Sequence, residues 1–374
     1  MTTSPPLSLA PFSPSLAETV FLVLKCIRNR DVRGATSLCE FAAAAGMNAS
    51  LIELCKAELL QECGDLEGAL ELVNLSLERA ADDLLALEMK ARILWELSQN
   101  EPSAALLQRI VERSPDYPGA HAALAAALMP GPPYPSVLQE IHRILRPDTY
   151  LEIGFAEGAT LKLAAAARVP VGVDPDRSSL KSHPPHARLY YLESDAFFRE
   201  QTLASAFGGR RVDLAFIDGM HLFEYALRDF CNSERWASPD GTIVIHDCLP
   251  VSVVSSQRVR ASHFWVGDTW KVLDALLAHR PDLRIRVVPT APSGLVIIRN
   301  LDPDSTVLAD RMDSILTAYQ HRTCPQPQDW PSRYELVSND PSGLATALDR
   351  ADPTARGSLA TRPRPGTAIG SPGR

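Results

Sequence analysis

Seven short apolar runs lie between residues 149 and 300: YLEIG, VPVGVD, RLYYLES, VDLAFID, GTIVIHD, LRIRVV and GLVIIR. Near-continuous apolar runs of strand length belong to strands buried on both faces, so helices must cover both sides of the sheet they build. Helical stretches separate most of the runs. Strand–helix alternation of this kind calls for right-handed crossovers and a doubly wound, mostly parallel sheet. The last two runs are joined only by PTAPS, too short for a crossover helix, so they form an antiparallel hairpin at the sheet edge.

The chain before this region has a different rhythm. Residues 16–129 read as helix after helix, with Ala and Leu on one face. Ala57, Ala91 and Ala125 are spaced by 34 residues, and so are Leu60, Leu94 and Leu128. Ala69 lies where a second helix would pack a small residue against the first, and Ala35 holds that place in a degenerate earlier copy. A 34-residue helix–turn–helix period resembles the tetratricopeptide repeat, in which small residues let paired helices approach and stacked pairs bury a continuous core. The reading is an α/β chain: a seven-stranded sheet preceded by an all-α repeat domain. Its divisions are a disordered N-terminus at 1–15, repeats at 16–129, a Pro-broken linker with a short helix at 130–148, the sheet domain at 149–300, a helical extension at 301–325, and a low-complexity, largely disordered tail at 326–374.

Composition removes several function classes. The formal charge is −8 and no long basic run occurs, so nucleic acid is not expected as a partner, because phosphate binding requires clustered Lys and Arg. No apolar run approaches the roughly 20 residues that cross a bilayer, and no basic segment precedes an apolar core at the N-terminus. The seven cysteines include no C-x-x-C pair, as expected of reduced thiols in a cytoplasmic protein.

In open α/β sheets ligands bind at the carboxyl ends of the strands. The first strand ends in Glu152, Gly154 and Gly158, an E-x-G-x-x-x-G turn into the helical LKLAAAA. This is not the G-x-G-x-x-G dinucleotide fingerprint, and an acid in the motif suits a ligand bearing a cation or hydroxyls. Glycine at the turn lets backbone N–H groups approach a ligand. Asp174 ends the second strand, where it could accept from ribose hydroxyls. Asp195 ends the third, within reach of an adenine amino group. Any one such Asp could as well cap a helix; three in succession suit a nucleoside.

E-x-G-x-x-x-G, then VGVDP, then SDA resembles the S-adenosylmethionine pocket of class I methyltransferases, over less than half of the chain. The resemblance implies a Rossmann-like sheet with Glu152, Gly154 and Gly158 at the methionine end, Asp174 on the ribose and Asp195 on the adenine. IDGMH followed by HD on the next strand resembles a bacterial branch that includes metal-dependent O-methyltransferases of sugars. There the resemblance implies that Asp218 and Asp247 hold magnesium and that His221 is the general base. His246 stands where that branch usually has an acid, which leaves two carboxylates and admits another divalent metal or none. His246 itself reads as a packed or hydrogen-bonded neighbour. Asp268 reads as the cap of the helix it precedes, Trp270 as core with Lys271 near the acceptor, and 252–265 as a lid. The expected function is O-methylation of a small hydroxylated metabolite or glycan, with the repeats recruiting a protein partner. Two alternatives stay open: a repeat scaffold with a degenerate enzyme domain, and a nucleotide-dependent oxidoreductase, which the missing fingerprint and the edge hairpin disfavour.

Overall fold

A computed structural model describes residues 15–29 and 31–348. The expectations for 1–14 and for 349–374 fall outside the described residues. Among the described residues eight helices come first: α1 (Leu16–Arg28), α2 (Val32–Ala44), α3 (Ala49–Glu62), α4 (Leu66–Arg79), α5 (Leu84–Glu96), α6 (Asn100–Arg113), α7 (Ala120–Leu128) and α8 (Tyr134–Leu145). The first six pack as consecutive pairs, and α7 packs on α6. Asp31 and Asp65 occupy the same register of the period and do the same work. Each accepts a hydrogen bond at 2.9 Å from a glycine N–H, Gly34 and Gly68 respectively, and so caps the second helix of its pair. Ala35, Ala57, Ala69, Ala91 and Ala125 are all buried. Ser103 stands in the register of Ala35 and Ala69, and its hydroxyl donates to the carbonyl of Ala91 at 2.7 Å.

The sheet holds β1 (Thr149–Ile153), β2 (Val169–Val173), β3 (Arg188–Tyr190), β4 (Val212–Ile217), β5 (Ala237–His246), β6 (Arg284–Val288) and β7 (Leu295–Arg299) in the order β3-β2-β1-β4-β5-β7-β6. The first five are parallel; β7 runs antiparallel to both β5 and β6. The strand order reverses between β1 and β4, which places the crevice for ligands at their carboxyl ends. The helical segment expected after β1 is a 3-10 helix, Leu161–Ala166. The remaining helices are α9 (Ser194–Glu200), α10 (Leu203–Phe207), α11 (Phe223–Trp236), α12 (Lys271–His279), α13 (Met312–Tyr319), α14 (Trp330–Arg333) and α15 (Pro341–Leu348).

Two findings differ from the sequence reading. Residues 326–348, expected to begin a disordered tail, are folded. The backbone N–H of Val287 donates to Glu335 and that of Val337 donates to Val287, at 3.0 and 2.9 Å, so this segment pairs with the free edge of β6. Covering an exposed sheet edge satisfies backbone groups that would otherwise template aggregation. Leu344 and Leu348 of α15 are buried with Val137 and Ile141 of α8 over one face of the sheet. The second finding is that the core does not break at residue 130. Leu87, Ala91, Leu107 and Leu124 of the last repeats share one buried cluster with Leu151, Ile153, Val171 and Ile217 of the sheet. No helix among the described residues is long and apolar enough to cross a membrane, and all seven cysteines are free.

Candidate active site

The turn after β1 is set by steric necessity. Gly154 has φ 83° and Gly158 φ 80°. A Cβ on Gly154 would collide with the carbonyl of Asp218, and one on Gly158 with the carbonyl of Ser182. The first glycine therefore lets the end of β1 lie against the end of β4. The second admits the chain's own loop, whose Lys181 N–H donates to the Glu157 carbonyl at 3.1 Å. Asp174 ties the crevice to β2: its Oδ2 accepts from Ala156 N–H at 2.9 Å and its Oδ1 from Asp176 N–H at 2.8 Å. A carboxylate has further lone pairs on both oxygens, a donor-accepting set that fits vicinal ribose hydroxyls.

Glu152 behaves differently from a ligand-facing acid. It is fully buried, with one oxygen accepting from the Tyr150 hydroxyl and the other from the Thr160 hydroxyl, both at 2.6 Å. Burial pushes its carboxyl up to about 8, against the pull of those two hydrogen bonds. Asp195 lies in the first turn of α9 and is held by Arg228, whose Nη2 reaches Oδ2 at 2.7 Å. The Arg228 guanidinium lies over the Tyr225 ring, 4.5 Å from its centroid.

Asp218, His221 and Asp247 converge at the ends of β4 and β5, and their ligating atoms all lie within 4.8 Å of one another. His221 Nδ1 is 2.9 Å from Asp247 Oδ2, and its Nε2 is 3.6 Å from Asp218 Oδ1. His246 closes the group from below: its Nδ1 is 3.0 Å from Asp218 Oδ1 and 3.4 Å from Asp247 Oδ1. Ser293, from the hairpin turn, donates to Asp247 Oδ1 and sits 3.1 Å from His246 Nε2. Tyr134 stacks on the His246 ring at 4.0 Å. Burial disfavours a charged imidazole at His221, yet the Asp247 and Asp218 carboxylates outweigh it and raise His221 to about 9. The same balance raises His246. Burial likewise opposes the charge on Asp247, but the facing His246 and His221 hold it below the usual carboxylate range.

The donor set of two carboxylate oxygens and one imidazole nitrogen, in which Asp247 Oδ2 meets only the His221 ring nitrogen, fits a divalent ion. Oxygen donors serve magnesium; the nitrogen also admits softer ions.

Asp268 does not cap its own helix. Its Oδ1 accepts from the N–H of Phe223, the first residue of α11, at 2.8 Å, and its own N–H donates to the carbonyl of His221 at 3.1 Å. Lys271 is buried and donates to Asp268 Oδ2 at 2.9 Å, so it braces this clamp rather than facing an acceptor. Trp270 is core. Trp265 of the expected lid stacks on His221, centroids 5.7 Å apart and planes 12° from parallel.

Several site residues were not singled out from sequence. Tyr134 and Ser293 reach the group from the linker and the hairpin turn, and no local pattern marks either. Asp229 of α11 lines the cavity beneath the Asp218–His221 turn with Thr269. Burial raises it to about 7, and its Oδ1 has no partner among the described residues. A polar residue on the buried face of α11 was its only signal.

With this geometry in place, residues 151–248 match the family described as "Methyltransferase domain". The match spans the sheet from β1 through β5 and leaves the helical repeats outside it. No curated protein matches the chain. Among solved structures it is similar to the O-methyltransferase of Bacillus cereus in complex with SAH, at 15% identity and TM-score 0.35, covering 52% of this chain and 97% of that one. It is also similar to TomG of Streptomyces achromogenes, an O-methyltransferase of tomaymycin synthesis in complex with SAM, at 16% identity and TM-score 0.36, covering 52% and 88%. An O-methyltransferase family protein of Burkholderia thailandensis covers 70% of this chain and 86% of its own, at 14% identity and TM-score 0.33.

Proposed function

We propose that the protein transfers a methyl group from S-adenosylmethionine to a hydroxyl of a sugar or other small hydroxylated metabolite. The observation that carries this reading is the convergence of Asp218, His221 and Asp247 beside the Gly154 turn, at the switch point of a sheet that matches a methyltransferase domain. When bound, the cofactor supplies an electrophilic methyl carbon. Asp174 accepts the ribose hydroxyls, the Gly154–Gly158 turn shapes the methionine end with Glu152 beneath it, and Asp195 lies toward the adenine. His221 takes the acceptor proton, and the Asp247 carboxylate beside it stabilises the imidazolium that forms. Asp218 and Asp247 would hold a divalent ion, which would make an acceptor hydroxyl more acidic. Positioning the oxygen in line with the methyl carbon supplies much of the rate. The stacked helix pairs, with their 34-residue period, serve as a tetratricopeptide-like module for a protein partner.

Calorimetry with S-adenosylmethionine and with NAD tests the cofactor: binding of the first alone is expected, and binding of NAD alone overturns the reading. A screen of hydroxylated acceptors with labelled cofactor then tests the reaction. Label found only on carboxyl or nitrogen acceptors would exclude O-methylation.

A further inference from the structure

The repeat domain reaches the catalytic histidine through a continuous chain of contacts. His121 of α7 is buried, and its ring stacks on Phe264 with centroids 4.8 Å apart and planes at 22°. Its Nε2 lies 3.1 Å from the Ser252 hydroxyl at the start of the same segment. Asp116, between α6 and α7, accepts from the backbone N–H of His263 at 2.7 Å and pairs with that ring's Nδ1 at 3.0 Å. The next residue but one is Trp265, the ring stacked on His221. Within the segment, Val266 N–H donates to Ser255 at 3.0 Å and Trp265 Nε1 donates to Gln257 at 2.6 Å, which ties Trp265 to the rest of the segment. The segment lacks regular secondary structure and lies between α7 and the site, so its position depends on what grips its two sides.

We propose that His121 and Asp116 are positioning residues: the last repeat holds residues 252–265 so that Trp265 fixes the plane of the His221 imidazole. The repeats are then part of the catalytic apparatus as well as a surface for partners. The grip is unequal. The pair of Asp116 with His263 is solvent-exposed and contributes little. The His121–Phe264 stack, buried on its His121 side, is the stronger hold, because aromatic pairs add to their area burial.

The kinetic arm of the test rests on the methyl-transfer reading; the exchange arm does not. In the full chain, His121→Ala is expected to speed amide hydrogen exchange across 252–267 by about three- to tenfold, the worth of one aromatic pair. Exchange in β1 and β2 and the affinity for S-adenosylmethionine should stay unchanged. On an identified acceptor, kcat should fall by a similar factor. His121→Phe, which keeps a ring on Phe264, should restore both. Unchanged exchange across 252–267 overturns the proposal, and so does faster exchange throughout the chain with no rescue by Phe. If His121→Ala does not fold, Phe264→Ala removes the stack from the other side and is read in the same way. A wild-type chain that binds no S-adenosylmethionine overturns the methyl-transfer reading and leaves the exchange result standing.

Discussion

His221 Nδ1 stands 2.9 Å from Asp247 Oδ2, and both residues hold a left-handed backbone, φ 58° and φ 61°. Neither is glycine, so each conformation costs on the order of 1 kcal/mol. The surrounding bonds impose it: Asp268 fixes the His221 carbonyl, and Ser293 fixes Asp247. Both residues lie in the turns that follow β4 and β5, so contacts between distant segments hold them in this conformation.

The first prediction concerns pH. His221 is raised to about 9 in the folded chain, above its ordinary 6.5. A raised histidine contributes stability that is fully present below about pH 6.5 and is lost as pH climbs through 9. His221→Asn tolerates the left-handed backbone and removes this dependence. Urea unfolding at pH 6 and at pH 9.5 should show the wild type losing on the order of 2 kcal/mol more than the variant. Equal losses would refute the ion pair.

Glu152 has the same sign in a lower pH window. Its carboxyl is raised to about 8, so the folded state favours the protonated form, and stability falls as pH rises from about 4.5 to 8. Glu152→Gln keeps the shape and removes the burial cost. The variant should be the more stable of the two at pH 8 and should lack that slope. Glu152→Ala leaves the Tyr150 and Thr160 hydroxyls without their acceptor and should cost about 2–4 kcal/mol. A flat pH profile in the wild type between 4.5 and 8, measured by denaturation, would contradict the buried acid.

Asp174 links two neighbouring backbone N–H groups to the end of β2. Asp174→Ala should weaken S-adenosylmethionine binding at least about tenfold, the equivalent of one good charge-assisted hydrogen bond. Asp174→Asn, which retains an acceptor oxygen, should fall between. Calorimetry that finds wild-type affinity in Asp174→Ala would remove the ribose role.

The sheet was legible because buried parallel strands are short and nearly all apolar, and because only five residues separate the last two runs. The residues at strand ends were legible for the same reason: once β4 and β5 are neighbours, Asp218 and Asp247 must be close. Contacts between distant, non-repeating segments were not. Residues 326–348 read as polar tail, because Leu344 and Leu348 find their apolar surface only once α8 and β7 lie side by side. Asp268 read as the cap of its own helix, because local spacing cannot reveal that the N–H of Phe223 lies nearer. The magnitude of burial at Glu152 was equally hidden, since a strand-end acid looks the same in sequence whether its partner is a ligand or two hydroxyls.

The last prediction separates a metal site from an ion-pair site. Asp218, His221 and Asp247 bring their ligating atoms within 4.8 Å of one another, and both histidines of the group are raised by the same two carboxylates. A divalent cation and two protonated imidazoles compete for one pair of charges, since metal affinity depends on deprotonated ligands. Binding of manganese, followed by calorimetry, should therefore release protons and tighten as pH rises from 6 to 8. Asp247→Asn should abolish that binding. In Asp218→Asn one carboxylate and His221 remain, so affinity should fall by about ten- to a hundredfold. In turnover, the pH at which His221 becomes a competent base should lie near 9 without metal and lower with it, because a bound cation offsets the carboxylates that hold the proton on. If EDTA leaves both the calorimetric and the kinetic pH profiles unchanged, Asp218 and Asp247 serve the histidines alone.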